Sequence, residues 1–336
     1  MMRHFTRISD LGVNGVAAVL NEALEWKKHA PGPHLAGKLL GMVFFNPSLR
    51  TRASFEAAML RGGGNAIVLD VGNGVWKLED RTGAVMDGDR PEHIREAIPV
   101  LGRYVDALAV RTFGSLQDDD ADVADPVMNA FRELAGVPVI SMESAREHPC
   151  QGLADLLTVR EDFGDTHKLP VTLTWAPHIK PLPKAVPHSF LLTAAAAGCD
   201  IRIAHPPGFD LHPAVLAEAN KYAKESGGSI TASHDQRAAL NGSRAVYAKA
   251  WGPSTRAVAP GEAAVHVAAH KDWLITNKTL AAAAQDAVFL HCLPVRRNVE
   301  VADEVLDGVQ SRVAAEAENR FHVQRVLLDR LLNNAA

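Results

Sequence analysis

Short apolar runs alternate with amphipathic stretches along nearly all of the 336 residues, and this alternation restricts the fold more than any other feature. The apolar runs span residues 39–45, 66–69, 107–110 and 137–140, then 171–175, 201–204, 245–247 and 288–290. Each reads as a strand buried on both faces, as in a parallel sheet. Helical periodicity fills the gaps at 53–61, 92–104, 127–135, 152–163, 186–197 and 213–225. Strand and helix in alternation require crossover connections. The predicted fold is α/β, with two doubly wound parallel-sheet lobes of four strands each, a division that suits the length. The boundary falls at His148–Gln151, which makes 1–149 the first lobe and 150–312 the second. An amphipathic segment at 319–332, within a C-terminal stretch 313–336, is predicted to pack back on the first lobe.

A formal net charge of -4 leaves no basic face suited to nucleic acid, so any anion site must be built locally from a few arginines and backbone amides. Cys150, Cys199 and Cys292 stand far apart, with no CxxC or Cys/His spacing for zinc, and point to a reducing compartment. No metal and no cofactor is expected. The N-terminal residues lack an apolar run of signal length, and the longest small-apolar stretch, 190–198, is too short for a bilayer. The expectation is a cytoplasmic protein without membrane contact. Asp118, Asp119, Asp120 and Asp122 read as a solvated acidic loop.

Four stretches carry chemistry. At Ser48-Leu49-Arg50-Thr51-Arg52 an apolar strand ends and a polar loop opens into a helix. Free amides at a helix start, two hydroxyls and two guanidinium groups suit a phosphate, though a capped helix with surface arginines would look the same. Arg111 follows an apolar strand, at the sheet edge where open α/β folds bind ligands. His148-Pro149-Cys150-Gln151 forms a polar loop at the predicted lobe junction, where His148 and Gln151 can donate to a carbonyl oxygen or an amide. His291-Cys292-Leu293-Pro294-Val295-Arg296-Arg297 ends the last apolar run, and Glu318-Asn319-Arg320 places a cation beside a helix start. A GxGxxG dinucleotide fingerprint is missing, since Gly62-Gly63-Gly64 lacks its spacing. A binding protein without chemistry remains the non-enzyme alternative.

In that order and spacing, these motifs resemble the aspartate/ornithine carbamoyltransferases over almost the whole chain. The resemblance implies a carbamoyl-phosphate lobe, then an amino-acid lobe, in a homotrimer with active sites between subunits. Ser48, Leu49, Arg50 and Thr51 would hold the phosphate, with Arg320 completing the anion site. Leu49 replaces the threonine of many relatives, which leaves its backbone contact possible. Arg111, His148 and Gln151 would hold the carbamoyl end along the His148-Pro149-Cys150-Gln151 segment, with the Cys292 and Leu293 carbonyls orienting its amide. The implied catalytic set is Arg50, Thr51, Arg111, His148 and Cys292.

Ornithine-specific members grip a free α-ammonium with an aspartate and a Ser-Met-Gly segment. Here the equivalent stretch is Val246-Tyr247-Ala248-Lys249-Ala250-Trp251-Gly252, and a lysine has no acceptor for an ammonium. The chain is therefore similar to the acylornithine branch, whose substrate has a masked α-nitrogen. There Trp76 would reach a neighbouring subunit's site, and Glu143, His178, Lys249 and Arg296 would contact the acylornithine. Pro91 stands where the acetyl branch carries glutamate. A glutamate would repel a succinyl carboxylate, so proline implies N-succinylornithine as acceptor, with N-acetylornithine and ornithine as alternatives. His188 replaces the asparagine of relatives within a substrate-lobe segment.

Overall fold

Each of the eight apolar runs read as strands forms one, and a polar loop follows. The computed structural model describes residues 3–333, so the ends of the C-terminal stretch 313–336 and of the first lobe lie partly outside the described residues. In the first half, α1 (Gly12–Lys28), β1 (Leu39–Phe44), α2 (Leu49–Arg61) and β2 (Asn65–Asp70) lead into an excursion. That excursion carries two short strands, β3 (Leu78–Glu79) and β4 (Glu92–His93). Next come α3 (Ile94–Leu101), β5 (Ala107–Arg111), α4 (Asp119–Ala124), α5 (Pro126–Leu134) and β6 (Val139–Glu143). The crossing helix α6 (Pro149–Phe163) leads to β7 (Pro170–Trp175), α7 (Ala185–Ala196), β8 (Asp200–Ala204), α8 (Pro213–Ser226) and β9 (Ser229–Ser233). Then follow α9 (Gln236–Leu240), β10 (Ala245–Lys249), α10 (Ala263–Ala268), α11 (Asn277–Leu280), β11 (Val288–Leu290), α12 (Asp303–Leu306) and α13 (Val313–Leu332).

Two parallel sheets result, in the orders β2-β1-β5-β6 and β11-β10-β7-β8-β9. Strand order reverses between β1 and β5 in the first and between β7 and β10 in the second. These reversals open a crevice at the carboxyl ends of the strands, the place where such sheets bind ligands. The second sheet has five strands rather than four. The extra one, β9, is a polar edge strand paired only with β8, so it lacks the apolar run that marks a central strand.

Trp175 and Trp251 pin the ends of β7 and β10. Both are buried, and each indole finds a carbonyl: Trp175 Nε1 donates to Trp251 O at 2.8 Å, and Trp251 Nε1 to Phe209 O at 2.7 Å. Burying each contributes on the order of 4 kcal/mol, at about 25 cal/mol per Å². Gly152 lets α6 approach α7, because a Cβ there would meet Thr193 Oγ1 at 2.5 Å and Ser189 O at 2.6 Å. Ser189 Oγ in turn accepts from His148 N at 2.7 Å and seats the head of α6.

Helix α13 packs against α6, α2 and α1, so the end of the chain returns to the first lobe. The acidic cluster is a short helix and not a loop, with Asp118 and Asp120 exposed but Asp119 and Asp122 half-buried. Asp118 caps α4, Asp119 binds Lys184 Nζ at 2.7 Å, Asp120 binds His212 Nε2 at 2.9 Å and Arg256, and Asp122 accepts from Ser115 N and Leu116 N. Cations distant in sequence draw Asp119 and Asp120 into the contact between the lobes. Among the described residues no helix is long and apolar enough to cross a membrane.

Candidate active site

The first cluster forms where β1 and β5 diverge. Ser48 caps α2, its Oγ accepting from Thr51 N at 3.3 Å, so Arg50 and Thr51 lie in the first turn beside unpaired helix amides. Arg52 turns away to Asp70 at 3.0 Å and Glu56 at 3.4 Å, so only one of the two arginines faces the site. Arg111 is the last residue of β5, where the register with β6 shifts. Its guanidinium pairs with Glu143, whose Oε2 is 3.8 Å from His148 Nε2, and it lies 4.7 Å from the Phe113 ring centre. Arg320, well inside α13 rather than at a helix start, donates from Nη2 to Thr51 Oγ1 at 2.6 Å.

Four basic side chains thus converge. Burial, followed by the charges of Arg320, Arg111 and Arg50, holds His148 well below its ordinary 6.5, so it is a neutral donor. Several buried atoms here have no hydrogen-bond partner among the described residues: Arg50 Nε, Arg111 Nε, His148 Nδ1, Gln151 Oε1 and Arg320 Nε. An arrangement of this kind suits a small phosphorylated ligand carrying both donors and acceptors.

Helix α6 begins at Pro149, so Pro149, Cys150 and Gln151 form its first turn instead of a loop, with proline at a favoured first position. Gln151 is not the donor expected of it. Its Nε2 gives both hydrogens to the protein, to Asp155 Oδ1 at 2.8 Å and Glu316 Oε1 at 3.0 Å, and only its oxygen is left for a ligand. Burial pushes the Cys292 thiol up to about 12, as it does for Cys150 and Cys199, so none is a thiolate. Leu293 adopts φ 56°, an outlier for a branched side chain beside a site.

The second cluster forms where β7 and β10 diverge. Lys249 ends β10 and is buried; its charge acts on His178, His291, Cys292 and Glu300. Arg296 Nε donates to His178 Nε2 at 3.1 Å, and His178 Nδ1 therefore donates to Lys180 O at 2.8 Å. Sequence reasoning missed the anchor of this cluster, Glu300. Its Oε2 accepts from His291 Nε2 at 3.1 Å and its Oε1 from Arg296 N at 3.2 Å. Leu293 N donates to His291 Nδ1 at 3.0 Å, which leaves the proton on His291 Nε2. Burial opposes ionisation of Glu300, but His291 and Lys249 outweigh it and hold the carboxyl below the usual range. The only local signal was an acid four residues after Arg296.

Glu143 sits in the first cluster, against Arg111 and His148. Among the described residues no hydrogen bond or ring contact brings Trp76 or Pro91 to either cluster. Trp76 is 60% exposed on the excursion, its Nε1 donating to Glu92 Oε2 at 2.7 Å, and Pro91 is exposed nearby. His188 is buried; its Nδ1 donates to Arg146 O at 3.0 Å, and burial takes its pKa down to about 3, so it is a neutral tie between lobes.

Two family profiles match the chain. One, described as aspartate/ornithine carbamoyltransferase, carbamoyl-P binding domain, covers residues 3–161; the other, described as its Asp/Orn binding domain, covers 183–331. An N-succinylornithine carbamoyltransferase of Bacteroides thetaiotaomicron is 40% identical over 98% of this chain and 99% of that protein. An N-acetylornithine carbamoyltransferase of Xanthomonas axonopodis pv. citri is 40% identical over 99% of this chain and 98% of that protein. Among solved structures, an N-acetyl-L-ornithine transcarbamylase with one glutamate changed to proline, complexed with carbamyl phosphate and N-succinyl-L-norvaline, superposes with a TM-score of 0.93. It is 40% identical and covers 98% of this chain and 99% of its own.

Proposed function

This chain belongs to the aspartate/ornithine carbamoyltransferase family as an N-acylornithine carbamoyltransferase, and on that premise we propose that its acceptor is N-succinyl-L-ornithine. The δ-amine attacks the carbonyl of carbamoyl phosphate, the new C–N bond forms, the C–O bond to phosphate breaks, and N-succinyl-L-citrulline and phosphate leave. The family implies a place in arginine biosynthesis.

The observation that carries the succinyl reading is Pro91 on the excursion beside Trp76. A carboxylate there would repel the terminal carboxylate of a succinyl group, most strongly in a partly desolvated site. The related acetyl enzyme whose glutamate was changed to proline is complexed with a succinyl ligand, which supports this assignment. The masked α-nitrogen follows from the second cluster. Lys249, Arg296 and His178 suit a carboxylate, while the Glu300 oxygens are already committed to His291 and Arg296. A free α-ammonium would find no unengaged anion there.

In the first cluster, Ser48, Arg50, Arg320 and the Leu49 and Thr51 amides at the α2 start would hold the phosphate. Thr51, Arg111 and His148 would donate to the developing oxyanion, each good donor contributing on the order of 3 kcal/mol. Gln151 Oε1 and the Cys292 and Leu293 carbonyls would accept from the carbamoyl NH2. The acceptor amine, with a pKa of about 10.4 by analogy with lysine, must be neutral to attack, and departing phosphate can take its second proton. Alignment of two bound reactants supplies much of the remaining acceleration. We assign 1–149 with the returning helix to carbamoyl phosphate and 150–312 to the acylornithine.

Exposed Leu49, Leu60, Trp76, Val85 and Met86 on α2 and the excursion support a trimer in which Trp76 meets the next subunit's site. Three buried free cysteines fit a cytoplasmic setting. The decisive test is an acceptor panel of ornithine, N-acetylornithine, N-succinylornithine and aspartate. Succinylornithine should lead, and Pro91→Glu should move preference toward acetylornithine by about tenfold or more, given the charge repulsion. Faster carbamoylation of bare ornithine would overturn the reading.

A further inference from the structure

Behind the first cluster lie two carboxyl groups that the chemistry above leaves unused. Asp155 of α6 and Glu316 of α13 are fully buried, and both accept from the single side-chain amide of Gln151. Two carboxylates gathered at one amide group in a dry interior cannot both stay charged, so the pair keeps a proton. Their other partners decide which oxygen carries it. Glu316 accepts through both oxygens, Oε1 from Gln151 Nε2 at 3.0 Å and Oε2 from His291 N at 2.8 Å. Asp155 Oδ1 accepts from the same Gln151 Nε2 at 2.8 Å, whereas Asp155 Oδ2 has no hydrogen-bond partner among the described residues. A proton on Asp155 Oδ2 neutralises the one oxygen of the pair that no donor meets.

The groups facing the pair fit a single negative charge. Burial pushes Asp155 up to about 7 and raises Glu316 as well, and Arg320, one turn along α13, draws both back down. Arg50 also feels Glu316, while Tyr247 and Cys292, on the third side, are kept neutral by burial.

The consequence falls on Gln151. Its amide cannot flip, because that would aim Oε1 at two carboxyl oxygens. Only Oε1 therefore points away from the pair, buried and without a partner among the described residues. An amide oxygen accepts from the NH2 of carbamoyl phosphate but gains nothing from the methyl of acetyl phosphate. The hold on His291 N also anchors the strand end that leads to the Cys292 and Leu293 carbonyls.

We propose that Asp155 and Glu316 are positioning residues that share one proton, carried on Asp155 Oδ2, and lock Gln151 with its oxygen toward the carbamoyl nitrogen, so that the enzyme tells carbamoyl phosphate from other acyl phosphates. This rests on the donor site assigned above.

The test compares Asp155→Asn, Asp155→Leu and Glu316→Gln. For each, the KM of carbamoyl phosphate is measured against the inhibition constants of acetyl phosphate and inorganic phosphate. Asp155→Asn supplies an N–H where the O–H was and keeps Oδ1, so the preference for carbamoyl over acetyl phosphate should stay within about threefold of wild type. Glu316→Gln sets an NH2 against donors that already point at it, and Asp155→Leu removes an acceptor. Each should lower that preference by about tenfold, with phosphate inhibition little changed. Infrared difference spectra between wild type and Asp155→Asn should show a protonated carboxyl band only in wild type, and they decide proton placement even if Glu316→Gln does not fold. A tolerated Glu316→Gln beside a damaged Asp155→Asn, equal losses for both acyl phosphates, or a band that survives in Asp155→Asn would each overturn the proposal. Failure of phosphate and acetyl phosphate to compete in wild type would instead refute the donor site.

Discussion

At Glu300 both carboxylate oxygens accept from N–H groups of the acceptor cluster, so an amide cannot replace it without setting donor against donor. Glu300→Gln should therefore misalign Arg296 and His178. The KM for the acylornithine should rise roughly tenfold to a hundredfold, the loss expected for a charge-assisted hydrogen bond, while the KM for carbamoyl phosphate changes far less. Steady-state kinetics with both substrates checks this, and parallel changes in the two constants would contradict it. Arg111 was legible because it directly follows an apolar run, and His148 because it stands just before a helix at the predicted lobe junction. Glu300 was not. It lies among exposed residues 297–299 and is buried only because that turn folds back, bridging Arg297 and Val301.

Among the elements, α4 departs furthest from its sequence pattern. Its aspartates look solvated, yet Asp119 lies between Lys184 Nζ, Ser254 Oγ at 3.1 Å and Thr255 N at 3.0 Å, tying the first lobe to the second. Burial pushes Asp119 up, but Lys184 and these hydrogen bonds outweigh it and hold the carboxyl below its ordinary range. A depressed carboxyl stabilises the fold above its unfolded pKa of about 3.9, and that contribution is lost as pH falls through the folded value. Lys184→Met leaves Asp119 a buried, uncompensated charge, a loss on the order of 3 kcal/mol near neutral pH. Its pKa then rises, so acidification relieves the variant while it weakens wild type. Denaturation at pH 7 and near pH 4 should show the gap narrowing; a constant gap would mean the ion pair does not couple the lobes. Helix α1 escaped notice for a different reason. Its buried stripe, Val16, Val19, Leu20 and Ala23, is short and flanked by mixed polar residues.

For the whole molecule, the proposed trimer makes each site a joint product of two chains. Arg111→Ala should lower turnover by about a hundredfold or more through a lost oxyanion donor, and Trp76→Ala should impair the neighbour's acceptor site. Unfolded together and reassembled one to one, the two variants should recover up to about a quarter of wild-type activity, because random mixing places intact Arg111 and intact Trp76 at one quarter of the shared sites. No recovery from a mixture that sediments as a trimer would confine each site to one chain.

The amino-acid sequence by itself determined the eight apolar strands, the long helices between them and the motifs at the strands' carboxyl ends. Those features depend on periodicity and on residues a few positions apart, and local chemistry specifies them. The tertiary structure alone decided that Gln151 spends both its hydrogens on buried carboxyls, that Glu300 anchors His291 and Arg296, and that the acidic helix joins the lobes. Each depends on partners far along the chain: Gln151 and Glu316 are 165 residues apart, Arg320 and Thr51 269. A donor's direction is set by whichever group the folded chain brings within about 3 Å, and no short-range pattern encodes that meeting.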